Sequence, residues 1–175
     1  MLNFTPFPII KTERLVLRQL KQEDAALLYD YMSNKEHFPY VEMPIYTQIS
    51  QAENYIEKMN QGVQKNQWII WAITLNDTII GTLSIWNCNS ETLTAELGYG
   101  LFPSFRGKGY MNEALVAGQK YAFDTMNLKT IEAYTSVDNK SSRNLLEKLS
   151  FEYTETIEDE YQDMKLMAIY KKNKS

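Results

Sequence analysis

A short apolar segment interrupted by glycines leads into a glycine-rich turn and then into a predicted helix. The segment runs from Thr94 to Phe102, the turn is Arg106-Gly107-Lys108-Gly109, and helical periodicity begins at Tyr110. Glycines and Pro103 end the apolar run, so the pattern predicts a strand, a turn and a helix N-terminus in succession. This strand–turn–helix junction indicates an α/β fold and constrains how the other elements can pack.

The junction has a chemical use, because the first turn of a helix presents unpaired backbone N–H groups and a partial positive charge. Gly107 and Gly109 lack the Cβ atoms that would keep a diphosphate away from the backbone, and Arg106 and Lys108 add full charges beside it. The motif is neither a Walker A loop nor a dinucleotide fingerprint, because Asn112 stands where the third glycine of the latter belongs. A tight turn without a ligand remains the alternative.

Composition narrows the class of protein. A chain of 175 residues with 44% hydrophobic residues predicts a single domain over 1–175 with a core of its own. The net charge of −4 and the pI of about 5.1 argue against nucleic acid as a partner and favour a cationic one.

Cysteine and histidine are too rare for several kinds of site. Cys88 is the only cysteine and is expected to pack at a strand end, and His37, the only histidine, is expected in a loop. We therefore expect no disulfide and no metal site. No apolar run approaches the roughly 20 residues of a membrane span, and a cytoplasmic location without membrane contact is the expectation.

Three segments together resemble one enzyme family. Arg106-Gly107-Lys108-Gly109-Tyr110-Met111 is similar to motif A of the GCN5-related N-acetyltransferases (GNAT), Arg/Gln-x-x-Gly-x-Gly/Ala, and departs from it at Met111. Thr12-Glu13-Arg14-Leu15-Val16-Leu17-Arg18, followed by a helix led by Glu23-Asp24, resembles the RimJ/RimL-like branch. The segment from Asn139 to Phe151 is similar to the family's Asn-x-x-Ser…Gly-Phe, with Ser150 in place of the usual glycine. The resemblance covers nearly the whole chain.

The pattern and the resemblance give one fold expectation. It is a GNAT fold of the α/β (α+β) class, with a mixed, mostly antiparallel sheet of six or seven strands, about four flanking helices and a splayed central strand pair. The first strand is expected over Thr12–Leu20, Ser50 is expected to cap the second helix, and Asn87–Ser90 is expected to be a turn. Lys171–Ser175 is expected to be a solvated tail.

The resemblance implies acetyl-CoA as cosubstrate. Its diphosphate would lie on the backbone of motif A, its pantetheine arm along the preceding strand, and Asn139 would contact that arm unless it is only a helix cap. The implied cofactor-binding residues are Tyr99, Gly100, Leu101, Phe102, Arg106, Gly107, Lys108, Gly109, Tyr110, Met111, Asn139 and Ser142. Met111 in place of Gly or Ala implies a changed helix start or a cofactor lying slightly farther out.

The resemblance also assigns roles in catalysis. A backbone N–H near Tyr99 to Leu101 would polarise the thioester carbonyl. Many relatives protonate the leaving thiolate with a tyrosine where this chain has Leu146, and the RimL-like branch has a serine where Ser142 stands, so Ser142 is the candidate acid. Glu96 and either Glu158 or Glu160 are the candidate bases.

The sequence thus predicts an acetyl-CoA-dependent N-acetyltransferase, an acyltransferase that acts on a primary amine. The lack of an evident strong base favours a peptide or protein N-terminal α-amine, or a similarly weakly basic amine, because an α-amine is far less basic than a lysine. Small-molecule acceptors such as polyamines or aminoglycosides remain open, as do a catalytically silent acyl-CoA-binding sensor on the same fold and a structural domain that binds no CoA. The chain is expected to be a monomer or a homodimer. In the resembled family, loop 38–46 borders the acceptor site, and the alternative is a loop capped by its own aromatic side chains.

Overall fold

The computed structural model describes residues 2–175 and centres on one hairpin. Its first strand is buried from Ile69 to Thr74, and its turn is Asn76-Asp77. Both turn residues have positive φ, 51° and 63°, which a two-residue turn of this kind needs to match the twist of its strands. The short turn predicted from the sequence is confirmed.

Eight strands form one sheet in the described chain, rather than the six or seven predicted. They are β1 Ile10–Lys11, β2 Val16–Arg18, β3 Ile69–Leu75, β4 Thr78–Asn89, β5 Thr94–Leu101, β6 Thr130–Ser136, β7 Glu152–Asp159 and β8 Lys165–Asn173. Their order is β1-β2-β3-β4-β5-β6-β8-β7, and every neighbouring pair is antiparallel except β5 and β6. The mixed, mostly antiparallel sheet is confirmed.

Four α-helices cover the sheet. They are α1 Ala25–Met32, α2 Ile49–Gln64, α3 Tyr110–Lys120 and α4 Lys140–Lys148, and a π-helical turn, Tyr121–Thr125, extends α3. The Tyr31 hydroxyl of α1 lies over Gly100, and α2 packs beside α1. Gly118 of α3 packs on Leu83, which occupies the other face of the sheet. One helix pair therefore covers each face.

Strands β5 and β6 separate after a short parallel ladder. Their pairing covers Thr94–Leu97 and Thr130–Ala133 only. Beyond it, β5 stays with β4 through Leu101, and β6 stays with β8 through Ser136. The predicted splayed pair is present, and its gap opens in front of the glycine-rich turn.

Several local predictions were wrong. The strand expected over Thr12–Leu20 shrinks to β2, because Thr12 and Leu15 close a turn in which the Thr12 N–H donates to the Leu15 carbonyl at 3.0 Å. Helix α2 begins at Ile49, before Ser50, and Gln51 caps it by accepting from the Gln48 N–H at 3.0 Å. Strand β4 continues to Asn89, through the segment predicted as a turn.

The predicted tail is also wrong, because β8 continues to Asn173. Lys172 Nζ donates to the Leu149 carbonyl at 2.6 Å, and Lys174 Nζ donates to the Phe123 carbonyl at 2.6 Å. These bonds fix the end of the chain to the helices on one face. Lysine-rich composition alone does not show that a segment is free in solvent.

Candidate active site

Backbone N–H groups of β5 point into the gap between β5 and β6. The Phe102 N–H donates to the Ile80 carbonyl of the β4 side at 2.8 Å. Successive residues of a strand direct their N–H groups to alternate sides, so those of Tyr99 and Leu101 point away from β4. These two amides lie where the sequence expected a carbonyl-polarising donor.

The glycine-rich turn ends in an uncapped helix N-terminus. Gly107 and Gly109 have φ of 74° and 81°, in the left-handed region that favours glycine. Helix α3 begins directly after Gly109, and no side chain bonds its first N–H groups. A Cβ on Gly107 would meet no atom within 4 Å. Open space therefore lies beside unpaired donors, which suits an anion.

Met111 does not enter that space. Helix α3 begins at Tyr110, and the Met111 side chain is buried in the core on the inner side of the helix. The motif position that differs from the family pattern therefore leaves the turn open.

The two basic side chains of the turn make contacts within the protein. Arg106 Nε donates to the Leu101 carbonyl at 3.0 Å, and its Nη2 donates to the His37 carbonyl at 3.2 Å. Lys108 Nζ donates to the Ser104 carbonyl at 3.0 Å. Arg106 thus joins the end of β5 to the turn that contains His37. Nothing in the sequence indicated this contact.

A pair of hydroxyl groups closes one side of the gap. Tyr99 Oη lies 2.7 Å from Ser142 Oγ, which is in the first turn of α4. Burial raises the pKa of Tyr99 to about 12, against the opposing effect of the Ser142 hydrogen bond. Asn139 caps α4, because its Oδ1 accepts from the Ser142 N–H at 3.1 Å. Leu146, in place of the tyrosine of many relatives, is fully buried in the core.

Glu96 lies on the opposite face of the sheet, the face that α1 covers at Gly100. Side chains alternate along β5, so Glu96 and Tyr99 project to different sides. Asn87 Nδ2 donates to Glu96 Oε1 at 2.6 Å. Burial raises the pKa of Glu96, and the nearby charges of Glu132 and Asp159 raise it further, while the Asn87 bond opposes them.

The other two candidate bases are not brought to Glu96. Glu158 pairs with Leu166 and projects to the other face of β7 from Asp159, and Glu160 is exposed in the turn after β7. The acidic neighbour that acts on Glu96 from this hairpin is Asp159, which was not among the residues predicted from the sequence. Glu158 and Asp159 are neighbours on β7 and project to opposite faces of the sheet, so a shift of one residue decides which of them approaches Glu96. The alternation of side chains along a strand was the sequence signal that could have indicated this.

A cleft borders this face at loop 38–46. It is lined by Pro39, Tyr40, Ser136, Val137, Asp138, Lys165 and Leu166. Lys165 Nζ pairs with Glu42 Oε1 at 2.6 Å, and the Glu42 N–H donates to Gln162 Oε1 at 2.7 Å. The loop is thereby attached to the β7–β8 hairpin beside the open gap.

Three residues that were not predicted as site residues, Thr12, Arg14 and Glu113, form a hydrogen-bonded cluster beside the glycine-rich turn. Glu113 accepts from Thr12 Oγ1 at 2.6 Å and from Arg14 Nε at 2.7 Å. Arg14 Nη1 also donates to the Lys108 carbonyl at 3.0 Å. The sequence signal that could have identified Thr12 and Arg14 was the Thr-Glu-Arg-Leu segment, which carried part of the family resemblance.

Cys88 and His37 are packing and loop residues, as expected. Burial raises the pKa of the half-buried Cys88 thiol, and the His37 ring stacks on Tyr31 with centroids 5.6 Å apart. Within residues 2–175, no three His, Cys, Asp or Glu side chains are grouped as a metal site would require. Over the same range, no helix has both the length and the apolar character to cross a membrane.

Comparisons with known proteins agree with this geometry. A family model described as Acetyltransferase (GNAT) domain matches residues 14–152. The uncharacterized N-acetyltransferase p20 of Bacillus licheniformis is 36% identical over 143 residues, covering 81% of this chain and 80% of the relative. The ribosomal protein uS5-alanine N-acetyltransferase of Escherichia coli (strain K12) is 29% identical over 150 residues, covering 82% and 77%.

A solved structure shows the same fold. RimL, a ribosomal L7/L12 alpha-N-protein acetyltransferase in complex with coenzyme A, matches with a TM-score of 0.85 at 19% identity. The match covers 95% of this chain and 98% of that one. At this identity, the likeness concerns the fold alone.

Proposed function

The chain belongs to the GNAT acetyltransferase family and is of the RimJ/RimL-like type, and we propose that it acetylates an N-terminal α-amine of a peptide or protein with acetyl-CoA. Acetyl transfer to an amine follows from the family. The proposal concerns the acceptor and the residues that act on it.

One observation carries the proposal: the gap between β5 and β6 has different chemistry at its two faces. On one side lie the Tyr99–Ser142 hydroxyl pair and the uncapped N-terminus of α3. On the other side lies Glu96, whose pKa is raised first by burial. An acyl donor on the first side and an amine on the second would meet across the amides of Tyr99 and Leu101.

The donor side has the groups that a CoA thioester needs. Backbone donors at the start of α3 and the left-handed glycines suit the diphosphate. Asn139 is used as a helix cap through its Oδ1, so a contact with the pantetheine arm would come from its amide nitrogen. The N–H groups of Tyr99 and Leu101 would stabilise the oxyanion that forms on the thioester carbonyl.

Proton transfers complete the proposed reaction. A free amine attacks the carbonyl carbon, the C–N bond forms, and the C–S bond breaks. Glu96 takes the proton that the amine nitrogen loses, directly or through a water, and the Ser142 hydroxyl gives a proton to the leaving thiolate. Ser142 is replenished from solvent. The raised pKa of Glu96 makes its carboxylate a better proton acceptor than an ordinary surface glutamate.

The basicity of the acceptor favours an α-amine. At pH 7, an amine with a pKa of about 7.7–8.0 is roughly a tenth neutral, whereas a lysine side chain near 10.4 is neutral in fewer than about 1 in 10³ molecules. A single carboxylate with an elevated pKa suffices as the base for an α-amine, which is already partly neutral. A lysine side chain would remain almost wholly protonated beside it. The uS5-alanine N-acetyltransferase among the relatives supports the same acceptor class.

The test is acetylation of a defined peptide. We expect a peptide that begins with alanine to gain one acetyl group, with equimolar thiol release from acetyl-CoA. The same peptide with an N-formyl group is the matched control, since it lacks only the amine. Turnover of spermidine with none of the free peptide would contradict the proposed acceptor. Acetyl-CoA binding without turnover of any amine would indicate a silent sensor.

A further inference from the structure

A cluster outside the proposed catalytic groups holds the glycine-rich turn in place. Glu113 Oε1 accepts from Thr12 Oγ1 at 2.6 Å and from the Arg14 N–H at 2.7 Å, while its Oε2 accepts from Arg14 Nε at 2.7 Å. Arg14 Nη1 continues to the Lys108 carbonyl at 3.0 Å. The guanidinium also lies over the ring of Tyr110, 4.5 Å from its centroid.

The bond to the Lys108 carbonyl fixes more than that oxygen. A trans peptide group is rigid and planar, so the carbonyl of Lys108 and the N–H of Gly109 point in opposite directions. Holding the carbonyl toward Arg14 therefore directs the Gly109 N–H away from it. Gly109, at φ 81°, has no Cβ to restrict the orientation of this peptide.

The same cluster offsets an unfavourable charge. Glu113 lies in the first turn of α3, where a diphosphate would also bind, and two anions would repel each other there. Partial burial raises the pKa of Glu113, but the donors on Thr12 and Arg14 lower it more, so it is held below its usual range. Glu113 is thus ionised, and the Arg14 cation compensates its charge.

Arg14 is packed against the glycine itself. A Cβ on Gly109 would lie 3.3 Å from Arg14 Nη2, whereas a Cβ on Gly107 would touch nothing. The guanidinium therefore occupies the outer side of the turn at Gly109. The open side remains at Gly107 and at the start of α3.

We propose that Thr12, Arg14 and Glu113 form a clamp that sets the Lys108–Gly109 peptide for diphosphate binding, which makes Arg14 and Glu113 positioning residues for the acyl donor. The inference depends on the proposed use of acetyl-CoA at this turn. It assigns the Thr-Glu-Arg-Leu segment to the donor site, 94 residues away in sequence from the carbonyl that Arg14 holds.

The test compares two acyl donors in the full chain. Acetyl-CoA carries the diphosphate and acetyl-pantetheine lacks it, and amide NMR titration measures dissociation constants up to the millimolar range. We expect Arg14→Met and Glu113→Gln each to raise the Kd of acetyl-CoA about tenfold, as for loss of a charged hydrogen bond. The double variant should be no weaker than either single one, and the Kd of acetyl-pantetheine should stay within about twofold of the wild type.

Two further variants distinguish the geometry of the clamp from its charge and from a general change in α3. Arg14→Lys keeps the charge but cannot reach the Glu113 carboxylate and the Lys108 carbonyl together, so it should not restore binding. Lys120→Met removes the ion pair with Asp124 at the other end of α3, 2.8 Å in length, and should leave both donors unaffected.

Each remaining result overturns the clamp. Weakening by Arg14→Met alone, with Glu113→Gln unchanged, would make Arg14 a direct phosphate ligand. Equal losses for both donors would indicate general damage to the fold, and additive losses would indicate independent residues. Failure of the wild type to bind acetyl-CoA refutes the proposed function instead, so the two failures are distinguishable.

Discussion

The Tyr99–Ser142 pair gives the sharpest prediction about chemistry. Either hydroxyl can donate in the 2.7 Å bond between Tyr99 Oη and Ser142 Oγ, and in the arrangement in which Tyr99 donates, the Ser142 proton is free for the thiolate. Ser142→Ala removes the proposed acid, and general acid catalysis is worth about 10²–10⁴-fold in rate. We expect kcat to fall by at least about 100-fold, whereas Tyr99→Phe, which keeps the serine hydroxyl, should lose only severalfold.

Stability supplies an internal check on the same pair. Burial around the Tyr99 hydroxyl raises its pKa to about 12, so loss of its partner in Ser142→Ala leaves a poorly hydrated polar group. That costs about 1–3 kcal/mol, or on the order of 2–12 °C in melting temperature for a chain of this length. Tyr99→Phe removes both the bond and the buried hydroxyl, so its melting temperature should change less.

The assay measures kcat from thiol release at saturating acetyl-CoA and peptide, and Tm by circular dichroism. Ser141→Ala is the matched control, because Ser141 is exposed in the same turn of α4. A Ser142→Ala variant that melts early but keeps its kcat would show that Ser142 is only structural. Equal losses of kcat in Ser142→Ala and Tyr99→Phe would refute the assignment of the acid to Ser142.

Three more perturbations follow from local geometry. A Cβ at Gly62 would lie 2.0 Å from the Trp68 ring, so Gly62→Ala should lower stability by about 1–3 kcal/mol, despite the higher helix propensity of alanine; an unchanged Tm in a thermal melt would contradict this. Gly107→Ala and Gly109→Ala should each lose about 1–2 kcal/mol from left-handed strain, with a larger loss of Tm at Gly109, where the Cβ meets the clamp guanidinium. Glu96 acts as a base only when it is ionised, so kcat/KM should rise with pH through a pKa above the usual glutamate range. Glu96→Gln should remove this rise from the pH profile. A wild-type profile in the variant would exclude Glu96 as the base.

Local patterns predicted the parts of the fold that depend on neighbouring residues. The Asn76-Asp77 turn, the strand leading to Leu101 and the helix start after Gly109 all depend on residues within a few positions of one another. Ser150, at φ 64°, takes the left-handed position where the family has glycine, so the substitution is accommodated at the end of α4.

Contacts between distant segments were beyond sequence reasoning. Arg14 and Glu113 are 99 positions apart, and the His37 carbonyl that Arg106 holds is 69 positions away. Arg106 was expected to present its charge to a phosphate, and nothing near it in the sequence indicates that its donors are used by carbonyl groups. Which carboxylate faces Glu96 depended on the register of the β7–β8 hairpin.

Binding of acetyl-CoA at the glycine-rich turn is best tested by the melting temperature with and without this donor, for the wild type and for Gly107→Glu. The variant places a negative side chain in the open space beside the start of α3. At about 100 times Kd, binding should add roughly 2.7 kcal/mol to stability, or about 5–10 °C. We expect this rise in the wild type and none in a Gly107→Glu variant that still melts cooperatively. No rise in the wild type at millimolar acetyl-CoA would contradict a donor site at this turn.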